Sequence, residues 1–157
     1  MNLAQDSGDD PTIMGSDNTF SMLNRDTFMV TSTRGSGSLK VYAISQRERA
    51  PPTHLATLHL PELQLEYHLR ALDSHSGPIH AHPPENSHFT SSLESRIQVI
   101  SAFYSGRTNH HYSIFIHNDQ LLTIATSNPV GSDLLWPSWG PQHTRFLPAC
   151  IPTIWLR

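Results

Sequence analysis

Apolar and β-branched residues along this chain fall in short runs of five to nine residues, each closed by glycine, proline or a polar cluster. Runs of this length with turn punctuation predict strands. The first covers 27–31 and leads into Arg34-Gly35-Ser36-Gly37-Ser38, a turn supplied by two glycines that tolerate positive φ. The second, 39–44, places Leu39, Val41 and Ala43 on one face. Pro51 and Pro52 break the chain before a strand at 54–60, which Pro61 closes. A further strand is expected from Leu65 to Leu72, and Ser76-Gly77-Pro78 turns the chain again. The clearest strand covers 96–104, followed by the polar link 105–109 and a strand at 112–117. Asn118-Asp119 then reads as a hairpin turn into a last strand at 121–126, since both residue types tolerate φ > 0. Strand starts near 27, 39, 54, 66, 97, 112 and 121 lie mostly 9–15 residues apart, a spacing that predicts an antiparallel all-β fold. Residues 73–95, rich in His, Pro and Ser, are the loop-rich exception.

Two stretches, 27–60 and 96–126, share a layout of strand, glycine-bearing link, strand, turn, strand. That layout is propeller-like. A blade takes about 40–50 residues and a closed propeller needs at least four. Residues 27–157 supply three at most, so the pattern predicts either an irregular sandwich or blades forming an incomplete arc.

Composition narrows the function classes. The chain has 157 residues, one domain's worth, with 37% hydrophobic and 15% charged residues against about 45–50% and about 25% in an ordinary soluble domain. Lys40 is the single lysine, which excludes a long Ala/Glu/Lys/Leu helix bundle. A net charge of −3 without a Lys/Arg cluster excludes a basic nucleic-acid binder. Residues 1–26 carry Asp6, Asp9, Asp10, Asp17 and Asp26 against Arg25 alone, so they are expected to form an acidic disordered tail before a β-rich domain at 27–157. The single Cys150 excludes an internal disulfide framework. No apolar run reaches the 18 or so residues of a membrane span, and no signal-peptide pattern opens the chain. An intracellular location, in cytoplasm or nucleus, is the expectation.

Candidate chemistry is sparse. His80 and His82, two apart, would point to the same side of a strand, and Glu85 could add a carboxylate, a set suited to a metal in an enzyme. The spacing departs from the cupin pattern Gly-x5-His-x-His-x3–4-Glu, since Gly77 is too near His80 and only two residues separate His82 from Glu85. With 11 histidines in the chain, His-x-His pairs also arise by chance, so no cofactor is assigned. Arg34-Gly35-Ser36-Gly37 is no nucleophile elbow, and Cys150, between Ala149 and Ile151, suits a buried inert thiol. Phosphate loops, dinucleotide fingerprints and zinc-spaced cysteines do not occur. The expectation is a protein that is not an enzyme.

The most distinctive run is at the C-terminus, where Trp136, Trp139, Arg145 and Phe146 fall within eleven residues. Two readings stand: an aromatic-rich loop whose large apolar plugs pack over a sheet edge, or an exposed patch in which the same aromatics and Arg145 contact another protein. The motif Trp-Gly-Pro-x-x-Thr-Arg-Phe-Leu-Pro at 139–148, followed by Trp155-Leu-Arg157, resembles the C-terminal region of F-box proteins from mushroom-forming fungi. The segments 39–42, 54–61, 75–78, 81–84, 95–99 and 114–118 resemble that family's successive segments in order, so the resemblance spans roughly 27–157. It implies a β-rich region that recognises a protein substrate, in a family whose F-box helices dock the adaptor of a cullin ubiquitin ligase. No Leu-Pro-x-Glu-type F-box pattern precedes residue 27, so adaptor docking is not expected of these residues. The family's region is expected to continue past Arg157, which would make the chain a truncated product, with or without a function of its own.

Overall fold

The computed structural model describes residues 19–46, 49–76 and 95–149. Four strands open the fold: β1 (Phe20–Met22), β2 (Thr27–Ser32), β3 (Ser38–Ala43) and β4 (Thr53–His59), each antiparallel to the one before. The expected glycine turn joins β2 to β3, with Gly35 at φ 62° and Gly37 at φ 94°, and the Gly37 amide donating to the Arg34 carbonyl at 3.1 Å. A second antiparallel set follows, β5 (His68–Ser76), β6 (Ile97–Ser105) and β7 (His110–His117). The chain then passes through a helix, α1 (Asn118–Ser127), to β8 (Ser132–Leu134), which joins the first sheet parallel to β4. A second helix, α2 (Trp136–His143), returns it to the second sheet, where β9 (Thr144–Pro148) lies antiparallel to β7. Sheet A is therefore β1-β2-β3-β4-β8 and sheet B is β5-β6-β7-β9. The protein is mainly β, as the strand pattern predicts, and the two sheets do not close into a propeller.

One apolar core joins the sheets. Sheet A contributes Met29, Leu39, Val41, Ala56 and Leu58, and sheet B contributes Leu72, Ile100, Ala102, Ile114 and Ile116. The period of two explains this: Met29 pairs with Val41 and Ile100 with Ile114, so alternate residues of neighbouring strands share the buried side. Polar contacts seal one edge. The Thr31 hydroxyl donates to the Leu72 carbonyl at 2.8 Å, the Ser74 amide to Thr19 Oγ1 at 2.9 Å, and the Ser21 hydroxyl to Gln98 Oε1 at 3.1 Å. Phe20, Phe28, Tyr42 and His54 form a row across the outer face of sheet A, with ring centroids 4.9, 5.3 and 5.1 Å apart.

Three expectations are corrected. The strand at 121–126 is helix α1, and Asn118-Asp119 begins that helix instead of turning a hairpin. Leu121, Ile124 and Ala125 are its buried apolar residues, an i, i+3, i+4 stripe that a six-residue apolar run also fits. Asn118 is buried and anchors the helix start: its backbone amide donates to the Arg96 carbonyl at 2.8 Å and its side-chain amide to the Leu23 carbonyl at 2.9 Å. Second, Trp136–His143 is helical, with a proline in its first turn, where the missing amide hydrogen costs no helical bond. Third, β1 and the buried Leu23 fall within the segment read as tail, so folded structure includes residues from Thr19 onward. The expected strand at 65–72 starts later and runs to Ser76.

Candidate functional site

The core side of sheet B ends in rings. Along β6 the inward positions run Ile100, Ala102, Tyr104, and along β7 they run Ile116, Ile114, Tyr112. On β9, Phe146 pairs with Ile114 and continues the same side. At this end the link from Pro61 to Tyr67 and the first residue of α2, Trp136, are the segments that face the rings. They leave an open cleft of about 420 Å³, lined by Pro61, Glu62, Leu63, Gln64 and five aromatic residues: Tyr67, Tyr104, Tyr112, Trp136 and Phe146.

The rings are inclined to one another. Tyr104 and Tyr112 lie 5.9 Å apart at 66°, Tyr112 and Phe146 5.0 Å apart at 45°, and Trp136 and Phe146 6.0 Å apart at 80°. Edge-to-face contact is the favoured quadrupole arrangement, and tilts of this size keep the lining from being a flat platform. Tyr104 forms the floor: it is 5% exposed, and burial, with Tyr112 adding to it, pushes its phenol up to about 12. Two glycines position the walls. A Cβ on Gly140 would overlap the Trp136 ring, and one on Gly106 would lie 2.5 Å from Tyr67 Cδ1. His110 sits between Tyr67 and Tyr112, with centroids 5.6 and 6.1 Å away.

The C-terminal candidates separate. Trp136 and Phe146 meet in the cleft wall, both half-buried. Trp139 does not reach the surface: it is 1% exposed, its indole N–H donates to the His59 carbonyl at 3.0 Å, and its ring meets Trp136 edge-on at 5.0 Å. For this residue the packing reading holds and the contact reading is corrected. Arg145 is exposed and neighbours Phe146 on β9, so it faces the other side of the strand. There it borders a second recess, of about 490 Å³, with Phe115, His117 and His143. His80, His82, Glu85 and Cys150 lie outside the described residues, and among the described residues no group of three or more His, Cys, Asp or Glu side chains could hold a metal.

Sequence reasoning missed Tyr67, Tyr104, Tyr112 and Glu62. The two strand tyrosines were within reach, since each extends an alternating apolar series by one position. Tyr67 and Glu62 sit in an irregular link and carry no periodic signal.

Compared with protein-family models, with curated proteins and with solved structures, the chain matches none of them. Among the described residues no helix is long and apolar enough to cross a membrane.

Proposed function

We propose that this chain is a non-enzymatic protein-recognition domain, the counterpart of the substrate-binding region of a fungal F-box protein. The observation that carries the reading is the aromatic cleft. It is concave, it places Trp136 and Phe146 where an incoming side chain can reach them, and its floor and walls are fixed by the core and by Gly140 and Gly106. Aromatic side chains in such a setting supply large contact area at low cost in conformational entropy. The cleft residues take the substrate-recognition role. Adaptor docking in the family falls to the F-box helices and is not assigned to them. The two antiparallel meanders, β1–β4 and β5–β7, are read within the same proposal as neighbouring blade-like units of an arc.

The test is selection of peptides from a synthetic random library, with lysines both unmodified and methylated, on the full chain, followed by titration of the enriched sequences. Binding in the micromolar range that weakens at least tenfold in Tyr112→Ala and is retained in Arg145→Ala is the expected result. Enrichment of no sequence, or binding indifferent to Tyr112→Ala and Trp136→Ala, refutes it.

A further inference from the structure

We propose that the aromatic cleft is a cation site that takes a methylated ammonium group, presented on a lysine side chain of the partner protein; the inference rests on the protein-recognition reading above. Three observations converge on this chemistry.

The first is the ring set. Five aromatic residues line one open cleft, three of them tyrosines and one a tryptophan. The negative faces of these π-systems attract a cation within about 6 Å of a ring centroid, most strongly on Trp. The second is inclination. Neighbouring rings stand at 45°, 66° and 80° to one another, so the lining offers no flat stacking platform. A planar base or a flat aromatic ligand would call for parallel rings. The third is charge. Glu62 is the one charged residue among the lining, and it is exposed at the rim. Arg107, close in sequence to the Gly106 that packs on Tyr67, is held by Glu66 at 2.8 Å and does not line the cleft.

The methylated state follows from the walls. A bare ammonium is strongly hydrated and needs hydrogen-bond acceptors to replace its water. Most of this lining is carbon, with side-chain acceptors limited to Glu62, Gln64 and the tyrosine hydroxyls. Methyl groups spread the charge, weaken hydration and add apolar surface that packs on the rings. An aliphatic lysine stem can then lie along Pro61 and Leu63.

The test uses the full chain and two probes: Nα-acetyl-trimethyllysine methylamide, and the neutral analogue in which carbon replaces the charged nitrogen. Binding is read from indole and ring chemical shifts by NMR, which also verify that each variant is folded. The charged probe is expected to bind about tenfold tighter than its neutral isostere, the discrimination that a partly desolvated cation–π contact supplies. Glu62→Gln is expected to weaken the charged probe several-fold and leave the neutral one unchanged. Tyr67→Ala and Trp136→Leu are expected to abolish saturable binding, with Arg145→Ala as the folded control. Equal affinity for the two probes, no saturable shift of cleft resonances, or insensitivity to Glu62→Gln and Tyr67→Ala overturns the cation site.

The two readings fail differently. Library peptides that bind at the cleft but gain nothing from lysine trimethylation overturn the cation site and leave protein recognition standing. If the charged probe passes every arm yet no peptide carrying trimethyllysine binds better than the probe alone, the cation chemistry holds and protein recognition falls.

Discussion

Truncating Trp139 separates packing from recognition in the C-terminal run. Its side chain is 1% exposed, donates one hydrogen bond to the His59 carbonyl and meets Trp136 edge-on. Removing a buried tryptophan ring costs about 3–5 kcal/mol through lost transfer free energy and the cavity left behind. The orphaned carbonyl and the lost ring pair push Trp139→Ala toward the upper part of that range. Trp136 is half-buried and opens on the cleft, so Trp136→Ala is expected to cost about half as much, roughly 2 kcal/mol. Trp139→Phe keeps a ring against Trp136 but strands the His59 carbonyl, and should cost roughly 1–3 kcal/mol. With a urea m-value of about 2 kcal/mol per M, a loss near 4 kcal/mol lowers the midpoint by about 2 M. The assay is urea unfolding followed by far-ultraviolet circular dichroism, with m held common across variants. A Trp136→Ala midpoint at or below that of Trp139→Ala would refute the assignment of Trp139 to the core.

Other consequences follow from polar and glycine positions. Tyr104 is neutral in the fold, and its phenol is pushed up to about 12 from the 10 of the unfolded chain. Its contribution is fully present below about pH 10 and lost as the pH rises toward about 12. Wild type should therefore lose about 2–3 kcal/mol more than Tyr104→Phe across that window, and parallel midpoint-against-pH curves would contradict it. Gln98 is fully buried; its Oε1 accepts from Ser21, and its Nε2 has no hydrogen-bond partner among the described residues. The pair Gln98→Met with Ser21→Ala should raise thermal stability by about 1 kcal/mol, since it removes an unmet buried donor at nearly constant volume, and a loss of stability counts against it. Gly140→Ala drives a methyl into the Trp136 ring, so it should weaken peptide binding as strongly as Trp136→Ala does while every cleft aromatic remains in place.

The strand frame was legible because its physics is local. The six strands β2 to β7 all coincide with apolar runs, and the glycine pair at 35 and 37 sits in left-handed backbone where the turn was expected. Local pattern misled where a run was short. Residues 121–126 form a short apolar run that fits a strand and a helical stripe alike, and the decision was made elsewhere, by Asn118 bonding to Leu23 across 95 positions. Helix α2 was illegible for a related reason: two prolines and a glycine in eight residues argue against a helix, yet Trp139 docked on the core fixes this segment. Tertiary contacts override propensity in both cases.

The candidate site was legible by half, and the missing half explains what kind of site it is. Trp136 and Phe146 stand out in any reading of the C-terminal run. The floor and far wall come from Tyr104, Tyr112 and Tyr67, which sequence separates from that run and from one another. Strand alternation brings Tyr104 and Tyr112 to the buried side, but it also brings Ile100 and Ile114 there, and those are fully buried. The difference lies in position along the sheet. One step beyond Ala102 and Ile114 stand Tyr104 and Tyr112, which share the cleft lining with the irregular 61–67 link. A link held by few regular bonds covers the rings less completely than a strand would, so the core surface is left open to an outside group. The same aromatic residues that close a core in mid-sheet become, at its end, a lining with one wall missing. The charge at its rim, Glu62, belongs to that incomplete wall, and it selects which group can complete it.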